Sequence, residues 1–136
     1  DKTKMILTPT YHVMQMYNVH QDAKLLPINF SSPLYTFKDQ TLPAVSVSAS
    51  KDKNGAVHIS LVNVDAKNKH KIEIDTKDLN VKNFTASIIT SSKLQDFNSF
   101  ENPNKISPAA FKDFDMKKGK LEITIPPFSV VVLEGK

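Results

Sequence analysis

The residues able to move protons or bind metals are four histidines and fourteen carboxylates, and the 136-residue chain has no cysteine. His12 and His20 stand eight positions apart, about 80° out of register on an ideal helix. No histidine pair has the i, i+4 spacing of a zinc-binding helix, so no metal is expected. His58 is out of phase with Val57 and Ile59 and reads as a solvent-facing strand residue. Glycoside hydrolysis uses two carboxyl groups roughly 5–9.5 Å apart. Glu73 with Asp75, and Asp113 with Asp115, would each lie about 7 Å apart on one strand face. Alternation on an exposed face produces such pairs routinely, and nothing around them signals a buried site that would raise one acid. No G-x-S-x-G elbow is present, and three glycines at 55, 119 and 135 cannot build a phosphate loop. No catalytic residue and no cofactor is therefore expected within the chain.

Binding chemistry leaves two candidates, Tyr35 and Phe37, which share one face of a short strand and could stack on a sugar ring. Phe97, Phe100, Phe111 and Phe114 gather around a long polar interval, but tryptophan, the strongest stacking residue, is absent. The net charge of +4 comes from 18 lysines spread along the chain, with no arginine. Readers of nucleic acid lean on arginine's planar fork, so a solvated lysine surface is expected and no nucleic-acid partner. No stretch approaches the roughly 18 apolar residues of a membrane span, so no membrane partner is expected either.

These side chains must be positioned by one helix and a set of short strands. Thr8 is an N-cap with Pro9 at the first helical position, and Val13, Met16, Tyr17 and His20 follow at helical spacing, predicting a helix over Pro9–His20. After Leu26 the period becomes two. Pro27–Ser31 and Leu34–Phe37 read as strands. Ala44–Ser50 turns through Asp52, Asn54 and Gly55 into the strand of Val57, Ile59 and Leu61. His70–Thr76 pairs with Phe84–Thr90, and Leu121–Ile125 with Phe128–Leu133 across the kink at Pro126-Pro127. About eight strands without alternating helices predict an all-β antiparallel β-sandwich, of Greek-key or jelly-roll connection, preceded by one N-terminal helix. The interval Ser91–Ala110 is long for a loop, and Leu94, Phe97, Phe100 and Ile106 are its expected apolar anchors.

Several strings carry a resemblance. Met5-Ile6-Leu7-Thr8-Pro9-Thr10-Tyr11-His12-Val13, with Met16-Tyr17 and His20-Gln21, resembles the segment that ends the catalytic barrel of family 51 α-L-arabinofuranosidases and enters their C-terminal β-sandwich. Leu61-Val62-Asn63-Val64-Asp65, Asn98-Ser99-Phe100-Glu101-Asn102-Pro103 with Ile106-Ser107-Pro108, and Pro126-Pro127-Phe128-Ser129-Val130 are similar to that domain's landmarks, in the same order.

The resemblance implies a non-catalytic accessory domain of a retaining glycosidase that removes terminal arabinofuranosyl groups from plant polysaccharides. Its two catalytic Glu residues lie on a (β/α)₈ barrel outside this chain, so Glu73, Glu101, Glu122 and Glu134 are not promoted to that role; Glu101 is expected to fix the long loop. It implies residues 1–24 as the end of the barrel helix and a linker, and 25–136 as the sandwich. Val13, Met16 and Tyr17 are the expected barrel-packing face. The chain starts without Met and is expected to be a segment of a longer protein, exported to the periplasm or medium. A missing N-terminal strand would leave an open sheet edge or drive self-association into a homo-oligomer. The competing readings are a stand-alone carbohydrate-binding module using Tyr35 and Phe37, and a small hydrolase using Asp113 with Asp115 or Glu73 with Asp75.

Overall fold

The structure, a computed structural model, describes residues 3–136. Helix α1 (Pro9–Tyr17) starts as its sequence demands: the Thr8 side chain accepts a hydrogen bond from the Tyr11 N–H at 3.1 Å, and Pro9 occupies the first turn. It ends three residues earlier than its periodicity suggests, because Asn18–His20 tightens into a 3₁₀ turn. Eleven strands follow: β1 (Lys24–Leu25), β2 (Leu34–Phe37), β3 (Gln40–Pro43), β4 (Val45–Lys51), β5 (Val57–Asn63), β6 (His70–Asp75), β7 (Phe84–Ile89), β8 (Ala109–Ala110), β9 (Phe114–Lys117), β10 (Lys120–Ile125) and β11 (Ser129–Gly135).

All pairings are antiparallel. The larger sheet has the order β1-β4-β5-β11-β7-β8, the smaller β6-β10-β9, and β2-β3 is a separate hairpin. The chain crosses between sheets from β5 to β6, back from β6 to β7, out again from β8 to β9 and back from β10 to β11, so the antiparallel sandwich forms as expected. Two expected pairings do not form: β6 pairs with β10 and not with β7, and β11 with β5 and β7 and not with β10, because each of those connections changes sheet. Its core is the inward half of each alternating pattern: Val57, Ile59 and Leu61 of β5, Val131 and Leu133 of β11, and Leu121, Ile123 and Ile125 of β10.

Three further expectations need correction. Pro27–Ser31 forms no strand; it is an exposed run that passes beside a hollow of about 220 Å³ at the side of the sandwich, lined by Leu26, Val47, Ile59 and Ile72. Proline at 27 and 33 removes ladder donors from both ends of that run. The partner of β2 is instead Gln40–Pro43, a strand without alternation and exposed throughout. Second, the smaller sheet gains β9, joined to β10 by a two-residue turn in which Lys118 (φ 51°) and Gly119 (φ 78°) are both left-handed, the geometry of a type I′ hairpin. Third, the long loop is not held by its aromatics. Leu94 and Phe97 are about 70% exposed and Phe100 is open as well, while Ile106 alone of the four is buried.

Strand β6 pairs with β10 only, so its other edge is unpaired among the described residues. The end of β11 is close-packed. A Cβ on Gly135 would stand 2.6 Å from Phe84 Cε1 and 2.7 Å from Val81 Cγ1. Gly135→Ala should therefore destabilise the fold by about 1–3 kcal/mol through overpacking, read as a lowered urea midpoint, whereas Gly55→Ala meets no backbone and tests only its turn conformation.

Candidate functional site

The carboxylates first proposed for chemistry lie on the outer face of the smaller sheet. Register places Glu122 opposite both Glu73 and Asp115, so three carboxylates run abreast across three strands. Lysines interleave them: Lys71 Nζ is 2.7 Å from Glu122, Lys120 Nζ is 2.7 Å from Glu73, and Lys117 is paired with Asp115. The Lys117 ammonium holds the Asp115 carboxyl below its ordinary value, the Lys71 ammonium does so for Glu122, and the Lys77 N–H for Asp75. All of these groups are exposed, and the downward shifts of Asp75, Asp115 and Glu122 run away from a general acid's range. Asp113 precedes β9 and is exposed too. Among the described residues no cluster of three His, Cys, Asp or Glu side chains could hold a metal ion.

The polar residues that are buried do something different. At one end of the sandwich Asn63, 1% exposed, donates from Nδ2 to Asn68 O and Pro126 O, both at 2.9 Å, and accepts at Oδ1 from the Asp65 N–H at 2.9 Å. Asp65, 3% exposed, accepts from the backbone N–H of Lys67 (2.8 Å) and Asn68 (3.0 Å) and from Asn68 Nδ2 (3.0 Å), and meets His70 Nε2 at 3.3 Å. Burial would raise its carboxyl, but these hydrogen bonds, led by Lys67 N–H, outweigh it and hold the value down to about 2. The Ser129 hydroxyl closes the knot by donating to Pro126 O at 2.6 Å. Phe128 sits at φ 47°, unfavourable for a bulky residue, with its N–H on Asp65 O at 3.3 Å. Thus the Asn63-Val64-Asp65 and Pro126-Pro127-Phe128-Ser129 strings are two halves of one fastening.

A second fastening holds the long loop. Asn98 Nδ2 donates to Leu7 O and Ile106 O, both at 2.8 Å, and Asn98 Oδ1 accepts from the Ile106 N–H at 2.7 Å. Asp96 joins Lys105 Nζ at 2.7 Å and the Ser91 hydroxyl. Asn98 performs the work expected of Glu101, which is exposed and touches only the neighbouring Ser99.

Of the aromatic pair, Tyr35 is half-buried against the core beside Val62, Val64 and Phe128, while Phe37 is 61% exposed with Lys38 Nζ 5.6 Å above its ring. On α1, Val13, Met16 and Tyr17 are half-buried, with Met16 beside Ala86 and Val132 and the Tyr17 hydroxyl near Ser60. Met14 (66% exposed) and Tyr11 face away from the sheet. This covering overturns the reading of His58. Its side chain does point away from the core, but α1 and the turn cover that face, and His58 is 4% exposed. His20 spans two strands, with Nδ1 2.7 Å from Ser50 Oγ and Nε2 2.6 Å from Ser60 Oγ. Strand alternation could not reveal this, since the covering element lies 30 to 40 residues earlier.

Residues 1–129 match the family model of the α-L-arabinofuranosidase C-terminal domain. The chain belongs to that family. It is 47% identical over 132 residues to an intracellular exo-α-L-arabinofuranosidase of Bacteroides ovatus, covering 96% of this chain and 26% of the relative. The family 51 arabinofuranosidase of Xanthomonas axonopodis pv. citri superposes with a TM-score of 0.96 at 34% identity, covering all of this chain and 28% of that one. The α-L-arabinofuranosidase of Thermotoga maritima gives 0.84 at 25% identity, over 98% and 30%. The chain thus spans between a quarter and a third of these relatives. Of the strings that carried the resemblance, the first forms α1 and the later ones fasten loops.

Asn63→Ala leaves the Asp65 N–H and the Asn68 carbonyl without partners and Pro126 O with the Ser129 hydroxyl alone, and should cost about 3 kcal/mol, measured by urea unfolding. For Asp65 the folded value of about 2 lies below the ordinary 3.8, so its contribution is complete above 3.8 and lost as pH falls toward 2. Asp65→Asn should be less stable at neutral pH and show a flatter acid limb.

Proposed function

We propose that this chain is the accessory domain of an α-L-arabinofuranosidase, serving to brace a catalytic domain that carries both catalytic carboxylates. The observation that carries this reading is the family match over residues 1–129 to relatives three to four times longer, together with carboxylates that are exposed and lysine-paired. The parent would be a retaining glycosidase acting on terminal arabinofuranosyl groups of plant polysaccharides. The Bacteroides ovatus relative is described as intracellular and exo-acting; carried to the parent of this chain, that favours end-trimming inside the cell over the export expected from sequence.

The bracing face is the one where the chain enters. Asn98 ties the long loop to Leu7, and the chain flanking that tie leaves Met5, Phe97 and Phe100 exposed, as are Leu94 and, on α1, Tyr11 and Met14. An accumulation of exposed large apolar side chains marks a surface that is covered in the working protein. We assign its cover to the catalytic domain, with residues 1–24 as the junction, and extend the expected contact beyond Val13, Met16 and Tyr17 to these open positions.

Two outcomes test this. Phe97→Asp with Phe100→Asp should leave the urea midpoint of this chain unchanged, because both rings are already in water, and should lower the Tm of the parent enzyme by several degrees; an unchanged parent Tm would reject the bracing face. The chain alone should release no p-nitrophenol from p-nitrophenyl α-L-arabinofuranoside, and turnover abolished by Asp113→Asn would reject the accessory role. Retardation on arabinan gels lost in Phe37→Ala would favour the binding-module reading.

A further inference from the structure

Between α1 with its 3₁₀ turn and the larger sheet lies a histidine cluster that neither the fold's core nor the fastenings use. His20 sits over the outward face of β4 and β5. Register places Ser50 opposite His58, and Ser60 follows two positions later on the same face. The His20 ring therefore bridges the hydroxyls of two neighbouring strands, at 2.7 and 2.6 Å, with its centroid 6.5 Å from that of His58. A neutral imidazole offers one donor and one acceptor, and each serine hydroxyl can rotate to supply the complement. Ser50 and Ser60 are 3% and 1% exposed, so losing His20 would leave two buried hydroxyls without this partner.

We propose that His20 is an acid-sensitive latch: its neutral ring holds α1 and the 3₁₀ turn on the sheet, and protonation in mildly acidic solution loosens them.

The charged groups around the cluster come from several elements. The turn between β4 and β5 brings Asp52, whose Oδ2 lies 3.4 Å from His58 Nε2. Strand β11 brings Glu134, which with His58, Gln15, Met16 and Thr85 lines a hollow of about 220 Å³ under the helix, wide enough to admit water. Glu134 is paired in turn with Lys136. From α1 come Tyr17, its hydroxyl near Ser60, and His12, buried with both ring nitrogens unpartnered. Lys51 at the end of β4 is exposed. The carboxylate is therefore placed on His58, whereas the hydrogen-bond partners of His20 are hydroxyls. A proton on His20 meets partial burial and a second imidazole, which together hold its value below the ordinary 6.5.

The sign follows from this direction. An unfolded or undocked His20 takes up protons at its ordinary value of 6.5, and the docked one resists until lower pH. The latch is thus complete above 6.5 and is lost as pH falls below it toward the docked value. His20 follows the helix that joins this domain to whatever precedes it, so release would loosen the junction while leaving the sandwich core intact.

Amide hydrogen exchange of the full chain, expressed as protection factors at neutral pH and at roughly pH 5, reads the latch directly. Protection of the α1 amides should fall several-fold while that of β11 stays constant. His20→Gln, which cannot titrate yet can both donate and accept, should flatten the fall. Independence of pH in the wild-type helix, or an equal fall in His20→Gln, would overturn the proposal. Should His20→Gln fail to fold, an NMR titration of the wild-type His20 ring serves: a midpoint at or above 6.5 refutes the latch, and one below it coincident with loss of α1 protection supports it.

Discussion

The constraint on which the rest of the molecule depends is that β5 and β11, side by side at the centre of the larger sheet, must be covered on both faces. Their inward residues Val57, Ile59, Leu61, Val131 and Leu133 close against β10 and the rest of the smaller sheet. Their outward residues His58, Ser60 and Val132 are each less than 10% exposed, and the only helix of the described chain is laid across them. A central strand buried on both faces is the usual condition of strands under helices, but the outward side chains of such a strand are ordinarily aliphatic. In this chain they include a histidine and a serine, so the covering element must bring polar groups to match. Tyr17 and His20 do so, which makes the helix part of the sandwich's own hydrogen-bond economy and more than a linker lying on it.

Two further fastenings follow from the same need. A sandwich whose chain crosses between sheets exposes backbone groups wherever it leaves a ladder, and each buried one requires a partner. Asn63 satisfies two carbonyls and one N–H at the crossing out of β5 and at the entry to β11; Asn98 does the same for the long loop and for the entering chain. An asparagine can donate and accept at once, and so can tie two strands of backbone together where an apolar residue could tie none. This explains why the recognisable strings of the domain are rich in Asn, Asp, Ser and Pro.

Legibility differed by the range of the interaction concerned. Thr8 and Pro9 announce α1 through a contact three residues long, and the β4–β5, β6 and β10 strands are announced by alternation of aliphatics with polar or small residues, β11 by a continuous aliphatic run. Strand β3 was invisible because Gln40-Thr41-Leu42-Pro43 neither alternates nor buries a face. The long loop was read as aromatic-anchored because Phe97 and Phe100 look like core residues in isolation; the structure leaves them open and assigns the anchoring to Asn98, Asp96 and Ile106. Glu73, Asp115 and Glu122 alternate outward as their sequence positions suggest, and lysines meet them across strands at 71 and 120 and along β9 at 117.

By itself, then, the amino-acid order determined the strand periodicity, the helix start, the turn chemistry and the family, since each of these is written in residues within a few positions of one another or in characteristic short strings. Only the tertiary structure decided which outward faces meet water. His58 and Glu73 are equally outward by alternation; one lies beneath α1 and the other among lysines in solvent. Burial depends on what a distant segment covers, and the chain between His20 and Ser60 carries no local trace of their meeting.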